Sequence, residues 1–80
     1  MVRRRVIAAL ACLLAGTLSA AEEADGPLLG HLMMVANRVA ADAGLENFRL
    51  VVNNGAGAGQ AVFHLHLHVL GGRPLGWPPG

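Results

Sequence analysis

The residues from Ala61 to Leu70 read AVFHLHLHVL, and this stretch determines both the fold and the chemistry expected of the chain. A β-strand repeats every two residues, so alternate side chains leave it on opposite faces. One face would carry His64, His66 and His68, and the other would carry Phe63, Leu65, Leu67 and Val69. Three imidazoles in a row are costly to bury without partners. We therefore expect the imidazole face to serve chemistry and the apolar face to pack in a core.

The histidine row allows three interpretations: a metal site, a catalytic or phosphate-binding row, and a purely structural role. Neutral imidazoles bind Zn²⁺, but same-face positions lie about 7 Å apart along a strand, so three of them reach one ion only with difficulty. Imidazole titrates near neutral pH and suits nucleophilic attack and proton transfer. The pattern favours catalysis or phosphate binding, and we assign no metal ligand.

The first 21 residues differ in character from the rest. Arg3, Arg4 and Arg5 precede an apolar run over residues 6–16, and small residues follow as far as Ala21. This pattern predicts a secretory leader, with a mitochondrial presequence or a non-native start joined to a truncated domain as alternatives. The run is about half the ~20 residues that span a bilayer, so we predict no stable membrane span. The protein is expected to be exported if the leader is used, and cytoplasmic if the start reflects a truncated gene.

Residues 22–80 form the expected domain, and their charge limits the function. They carry Arg38, Arg49 and Arg73 against five acidic residues, a net charge of −2 with neutral histidines, and no Lys occurs anywhere. This balance argues against nucleic acid as a partner. The only Cys, Cys12, lies in the leader-like segment, so we expect neither a disulfide nor a thiolate metal site. A unit this small buries only about 60% of its unfolded surface, so we expect it to need a partner subunit or more of its domain.

A helix is predicted over Pro27–Ala43. Asp25 can cap its start, Pro27 falls in its first turn, and Gly44 suits the position after its last turn. Its predicted apolar stripe follows helical spacing through Leu28, Leu32, Val35 and Val39, widened by Leu29, Met33, Ala36 and Ala40.

Two strands are predicted, Phe48–Val52 and Gln60–Leu70, and the glycine loop (residues 53–59, NNGAGAG) joins them as an antiparallel hairpin. The G-x-G-x-G spacing in the loop matches neither the dinucleotide-binding fingerprint nor the P-loop. The loop is therefore either a simple turn or a set of amides that, with the Asn53 side chain, cradles a phosphate. The fold class is α+β, with one helix packed on an antiparallel β-hairpin or sheet.

The His-x-His-x-His-x-x form of residues 64–70, with apolar x, resembles the histidine triad (HIT) nucleotide-binding proteins. Further segments resemble the Hint branch of that family: Leu28–Met33, Gly44-Leu45, Arg49–Asn53, Leu70–Arg73 and Trp77–Gly80. The resemblance covers residues 21–80. It implies a hydrolase of nucleoside 5′-phosphoramidates, such as AMP or GMP linked to an amine, that needs no metal or other cofactor. It also implies a homodimer in which the sheet continues between subunits.

The resemblance assigns roles to individual residues. It makes His66 the nucleophile that forms a nucleotidyl-histidine intermediate, His68 the contact to the α-phosphate, and His64 the residue that orients the nucleophile. The full set of predicted nucleotide- and phosphate-binding residues is Asn53, Gly59, Gln60, Ala61, His66 and His68.

Two departures from the family pattern point to an alternative function. Family members usually carry Ser or Thr where this chain has Ala61, and that hydroxyl can bond to the phosphate or the leaving amine. Hint proteins also have a longer N-terminal half that carries much of the nucleoside pocket, so residues 22–80 resemble the C-terminal portion of a HIT domain. The alternative is a truncated, non-catalytic module that binds a nucleotide or a protein partner.

Overall fold

A computed structural model describes the backbone of residues 6–80 and the side chains of residues 16–80. Its strands are β1 (Val6–Ala15), β2 (Phe48–Val51) and β3 (His64–Gly71), and they form one antiparallel sheet in the order β1-β3-β2. The helix α1 (Gly26–Asp42) packs on one face of this sheet. The predicted α+β class, with a helix on an antiparallel sheet, is confirmed.

The sheet has a strand that the sequence analysis did not predict. β1 takes up most of the apolar run of the predicted leader and pairs with β3, with Ala11 opposite His66 and Ala15 opposite His64. A short apolar run is compatible with a buried strand as well as with the apolar part of a leader, and periodicity alone does not separate them. The arginines at positions 3–5 lie outside the described residues, and the leader stays a prediction.

The two predicted strands pair as expected but are shorter than predicted. β2 ends at Val51, and β3 begins at His64 and not at Gln60. Residues 55–60 form a compact turn, with a 3₁₀ segment at Ala56–Ala58 held by hydrogen bonds within the turn. The connection between the strands is therefore longer than a tight hairpin turn.

Both ends of α1 follow from local hydrogen bonds, one of them not as predicted. Asp25 does not cap α1, because its carboxylate accepts a hydrogen bond from the Glu22 N–H at 2.8 Å and stabilises the preceding 3₁₀ turn (Glu23–Asp25). At the other end Gly44 adopts φ 75°, and the Leu45 N–H donates to the Ala40 carbonyl at 2.9 Å. This is the Schellman arrangement, and it confirms the predicted stop at Gly44. No helix among the described residues has the length and apolar character that crossing a membrane requires.

The core lies between α1 and β3, and the helix residues that enter it belong to the predicted apolar stripe. The buried helix positions are Leu32, Ala36 and Ala40, spaced by four residues, whereas Leu28 is 37% exposed. Alanines at the contact let the helix approach the sheet closely, and the buried β3 side chains are Leu65, Leu67 and Val69. Met33 is 52% exposed, so Leu28 and Met33 are the two predicted stripe positions that remain exposed.

Replacing Gly71 with alanine should destabilise the fold by about 1–3 kcal/mol. A Cβ at this position would lie 2.7 Å from Leu45 Cδ1 and 3.2 Å from the Asn47 carbonyl oxygen. The leucine side chain can move, but the carbonyl belongs to the backbone that leads into β2. Urea unfolding followed by circular dichroism measures the difference. Gly76→Ala is the matched control, since nothing lies within 4 Å of its new Cβ, and equal stability of the two variants would contradict this packing.

Candidate functional site

The central strand β3 separates the core from the histidine row. Leu65 and Leu67 are 2% and 4% exposed on the helix side. On the opposite face His64 is exposed, and His66 and His68 are half-buried. The alternation confirms the prediction that the imidazoles share one face while the apolar residues enter the core. Phe63 is the exception, because it precedes the strand and remains 51% exposed.

His66 is oriented by the backbone of its own strand. Its Nδ1 lies 2.7 Å from the His64 carbonyl oxygen. A carbonyl oxygen can only accept, so the proton of this hydrogen bond belongs to Nδ1. In the neutral ring, Nε2 then keeps a free lone pair, which is the form that nucleophilic attack requires.

His68 packs against the His66 ring. The two ring centroids lie 4.8 Å apart at an interplanar angle of 70°, an edge-to-face arrangement. The contact limits rotation of both rings and places two imidazoles where both can face one ligand. Among the described side chains, no group of three His, Cys, Asp or Glu residues is placed to hold a metal ion.

The register of β2 against β3 brings Asn53 towards the same region. Val51 lies opposite His68, and this register, continued for two residues beyond the end of β2, brings Asn53 level with His66. Asn53 is half-buried, and its Nδ2 lies 3.9 Å from the position that a Cβ on Gly59 would occupy. The Asn53 side chain thus lies near Gly59 within the glycine loop, and the extended register places it on the side of the histidine row.

The glycine loop uses several of its amides internally. Gly55 and Gly59 have φ of 93° and 96°, which allow the chain to reverse sharply. The N–H groups of Gly59 and Gln60 donate to the carbonyls of Ala56 and Gly55 at 3.0 and 3.1 Å. Both amides are thus occupied, and neither offers the free N–H that a phosphate cradle requires. The Ala61 side chain is exposed beside them and offers only a methyl group.

Gln60, predicted to contact phosphate, lies instead inside the protein. It is 4% exposed, its Oε1 accepts from the Gly55 N–H at 2.8 Å, and its Nε2 donates to the carbonyls of Gly16 and Val62. Both side-chain donors are therefore occupied by backbone. A buried glutamine stays buried because such bonds replace those to water.

A polar contact that the sequence does not predict joins the glycine loop to the segment after β1. Asn54 Oδ1 accepts from the Ser19 backbone N–H at 2.8 Å and from the Ser19 hydroxyl at 2.9 Å. Ser19 falls within the predicted leader. No sequence pattern signals a polar contact across this separation, so only the folded chain reveals it.

Comparison with known protein families gives a match over the elements that form this site. A family model described as "HIT domain" matches residues 9–75, beginning within the segment predicted as a leader. The chain belongs to the histidine triad family. The match covers the histidine row, the glycine loop, α1 and the last part of β1.

Several HIT proteins are similar to this chain. An uncharacterized HIT-like protein of Synechocystis sp. is 66% identical over 64 residues, which make up 79% of this chain and 56% of that protein. Another, of Synechococcus elongatus, is 56% identical over 54 residues, 66% of this chain and 47% of that protein. The chain thus spans about half the length of the curated relatives it matches.

A solved structure shares the fold of this chain. The crystal structure of a HIT family hydrolase from Legionella pneumophila superposes with a TM-score of 0.81 and 30% identity, covering 99% of this chain and 90% of that one. Together with the family match, this similarity shows that the chain has the histidine triad fold.

Proposed function

We propose that this protein is a HIT-type hydrolase of nucleoside 5′-phosphoramidates, acting on AMP– or GMP–amine conjugates through a nucleotidyl-His66 intermediate. The observation that carries the proposal is the 2.7 Å hydrogen bond from His66 Nδ1 to the His64 carbonyl. It fixes the proton on Nδ1 and leaves Nε2 as the nucleophile on the open face of the sheet. The family membership and the hydrolase neighbour support the same chemistry.

The proposed reaction proceeds in two displacements at phosphorus. In the first, the Nε2 lone pair of His66 forms a bond to the α-phosphorus, the P–N bond of the substrate breaks, and the leaving amine takes up one proton from solvent. In the second, water attacks the same phosphorus and gives up one proton to solvent, the bond to Nε2 breaks and returns its electron pair to the ring, and AMP is released. The sum consumes one water and returns His66 to its starting form. The Nδ1–H···O=C bond persists throughout and holds the ring in line with the phosphorus.

Neighbouring groups have supporting roles in this proposal. His68, in contact with the His66 ring, binds an α-phosphate oxygen, and Asn53 binds the phosphate from the loop side. His64 orients the nucleophile through its backbone carbonyl. Positioned donors of this kind stabilise charge that develops on phosphoryl oxygens.

A non-catalytic module that binds a nucleotide or a protein partner is the second candidate. Ala61 favours it, because a methyl group cannot bond to a phosphate or a leaving amine. Hydrolysis is tested by incubation with an AMP–amine conjugate, with the release of AMP followed by phosphorus NMR. Nucleotide binding is tested by calorimetric titration with AMP and GMP. Binding without turnover by the folded protein would favour the second candidate. The absence of both would contradict the hydrolase and the nucleotide-binding form of the module.

We propose further that the protein works as a homodimer. Within the described part of the sheet, β2 pairs on one side only, and an open strand edge is a template for pairing with a second copy. Trp77 is 81% exposed, with the Arg49 guanidinium 5.8 Å from its ring centre, so this side also presents an uncovered aromatic group. Light scattering should give twice the chain mass of 8.3 kDa. A single-chain mass at all concentrations tested would contradict the dimer.

A further inference from the structure

We propose that Gln60 is a positioning residue that fixes the glycine loop and the backbone preceding the histidine row. It is the only glutamine of the chain and is 4% exposed. Its carboxamide is bonded to three backbone groups that belong to separate parts of the fold: the Gly55 N–H, the Gly16 carbonyl and the Val62 carbonyl. A single side chain thus joins the glycine loop, the residue that follows β1 and the segment that precedes β3.

The hydrogen bonds of Gln60 are connected through the backbone to His66, the proposed nucleophile. Val62, which accepts from Gln60 Nε2 at 3.1 Å, is two residues before His64. Gly16, which accepts at 3.0 Å, donates its own N–H to the Phe63 carbonyl at 2.6 Å. The next carbonyl along the chain is that of His64, which orients the His66 ring. Gln60 therefore fixes the segment whose carbonyl sets the position of the nucleophilic nitrogen.

The same contacts distinguish positioning from direct substrate binding. Both N–H groups of the Gln60 amide are bonded to carbonyls, so the side chain has no donor left for a phosphate oxygen. An apolar side chain of similar length would fill the space but leave the Gly55 N–H and two carbonyls without their bonds. Unpaired buried backbone groups are unfavourable, so the loop would move to reach water.

A second and weaker contact of the glycine loop serves as a comparison for the Gln60 contacts. Asn54 holds the loop to Ser19 through exposed hydrogen bonds of 2.8 and 2.9 Å. Exposed bonds compete with water and stabilise less than buried ones. Asn54→Ala, which removes these hydrogen bonds, should therefore disturb the loop less than removal of the Gln60 contacts.

The kinetic test compares Gln60→Met with Glu46→Met, a control at the opposite end of the sheet on an exposed residue. This arm rests on the proposed phosphoramidase function. We expect Gln60→Met to lower kcat by about 10- to 100-fold with a smaller change in KM, because a displaced nucleophile slows chemistry more than binding. Glu46→Met should match the wild type. A raised KM with unchanged kcat would overturn the proposal, because it would indicate direct contact between Gln60 and the substrate.

A test that needs no activity separates this inference from the proposed function. In amide hydrogen exchange by NMR, the Gly55 N–H should be protected in the wild type and lose protection in Gln60→Met and Gln60→Ala, with a shift of the His66 ring signals. Gln60→Glu keeps the acceptor for Gly55 but not the two donors, so it should retain Gly55 protection while shifting the His66 signals. An unprotected Gly55 amide in the wild type, or unchanged His66 signals in Gln60→Met, would overturn the proposal even if the protein hydrolyses nothing.

Discussion

His66→Ala should abolish hydrolysis of an AMP–amine conjugate, with a loss on the order of 10⁴-fold or more, because it removes the atom that bonds to phosphorus. His66 is half-buried on the open face of β3, while its neighbours Leu65 and Leu67 make the core contacts. The variant should therefore fold like the wild type by circular dichroism. Quenched wild-type protein should show one adenylyl group by intact mass, and the variant should show none.

His31→Ala is the matched control for this experiment. His31 is an exposed histidine on α1, the helix on the other face of the sheet. Its removal should leave both the rate and the adenylyl adduct unchanged. An adduct that persists in His66→Ala would place the nucleophile elsewhere.

The histidine row was predictable because its period carries both the fold and the chemistry. Alternation at residues 63–70 requires a strand with one apolar face, and α1 covers that face. The end of α1 at Gly44 was equally predictable, because a Schellman motif needs a residue that tolerates positive φ. These features depend on local geometry, which the sequence encodes directly.

The features that sequence did not reveal depend on contacts between distant parts of the chain. Which stripe positions of α1 are buried depends on its contact with β3, and apolar periodicity alone does not show that Leu28 stays exposed. The family resemblance assigned Gln60 to phosphate binding, yet its side chain bonds to Gly16, which lies 44 residues away. Likewise, nothing in the apolar run of residues 6–15 indicates that it pairs with β3.

His68→Ala should lower kcat by about 10²- to 10³-fold, the loss typical of removing one positioned donor to a developing oxyanion. His64→Ala should cost less, within about 10-fold, because the group that orients His66 is the carbonyl of residue 64, which alanine also has. The two variants form a matched pair, since they remove the same side chain from the same face of one strand.

Steady-state rates on one AMP–amine conjugate, with intact mass of the quenched enzyme, separate these roles. His64→Ala should still form the adenylyl adduct readily, because Nδ1 of His66 keeps its acceptor and Nε2 stays the nucleophile. His68→Ala should form it slowly, because the phosphate loses a donor beside the His66 ring. If His64→Ala loses as much activity as His68→Ala while remaining folded, the imidazole at position 64 and not its carbonyl acts in the reaction. The backbone would then be insufficient to set the nucleophile, and proton transfer to the leaving amine would be the role left for the His64 ring.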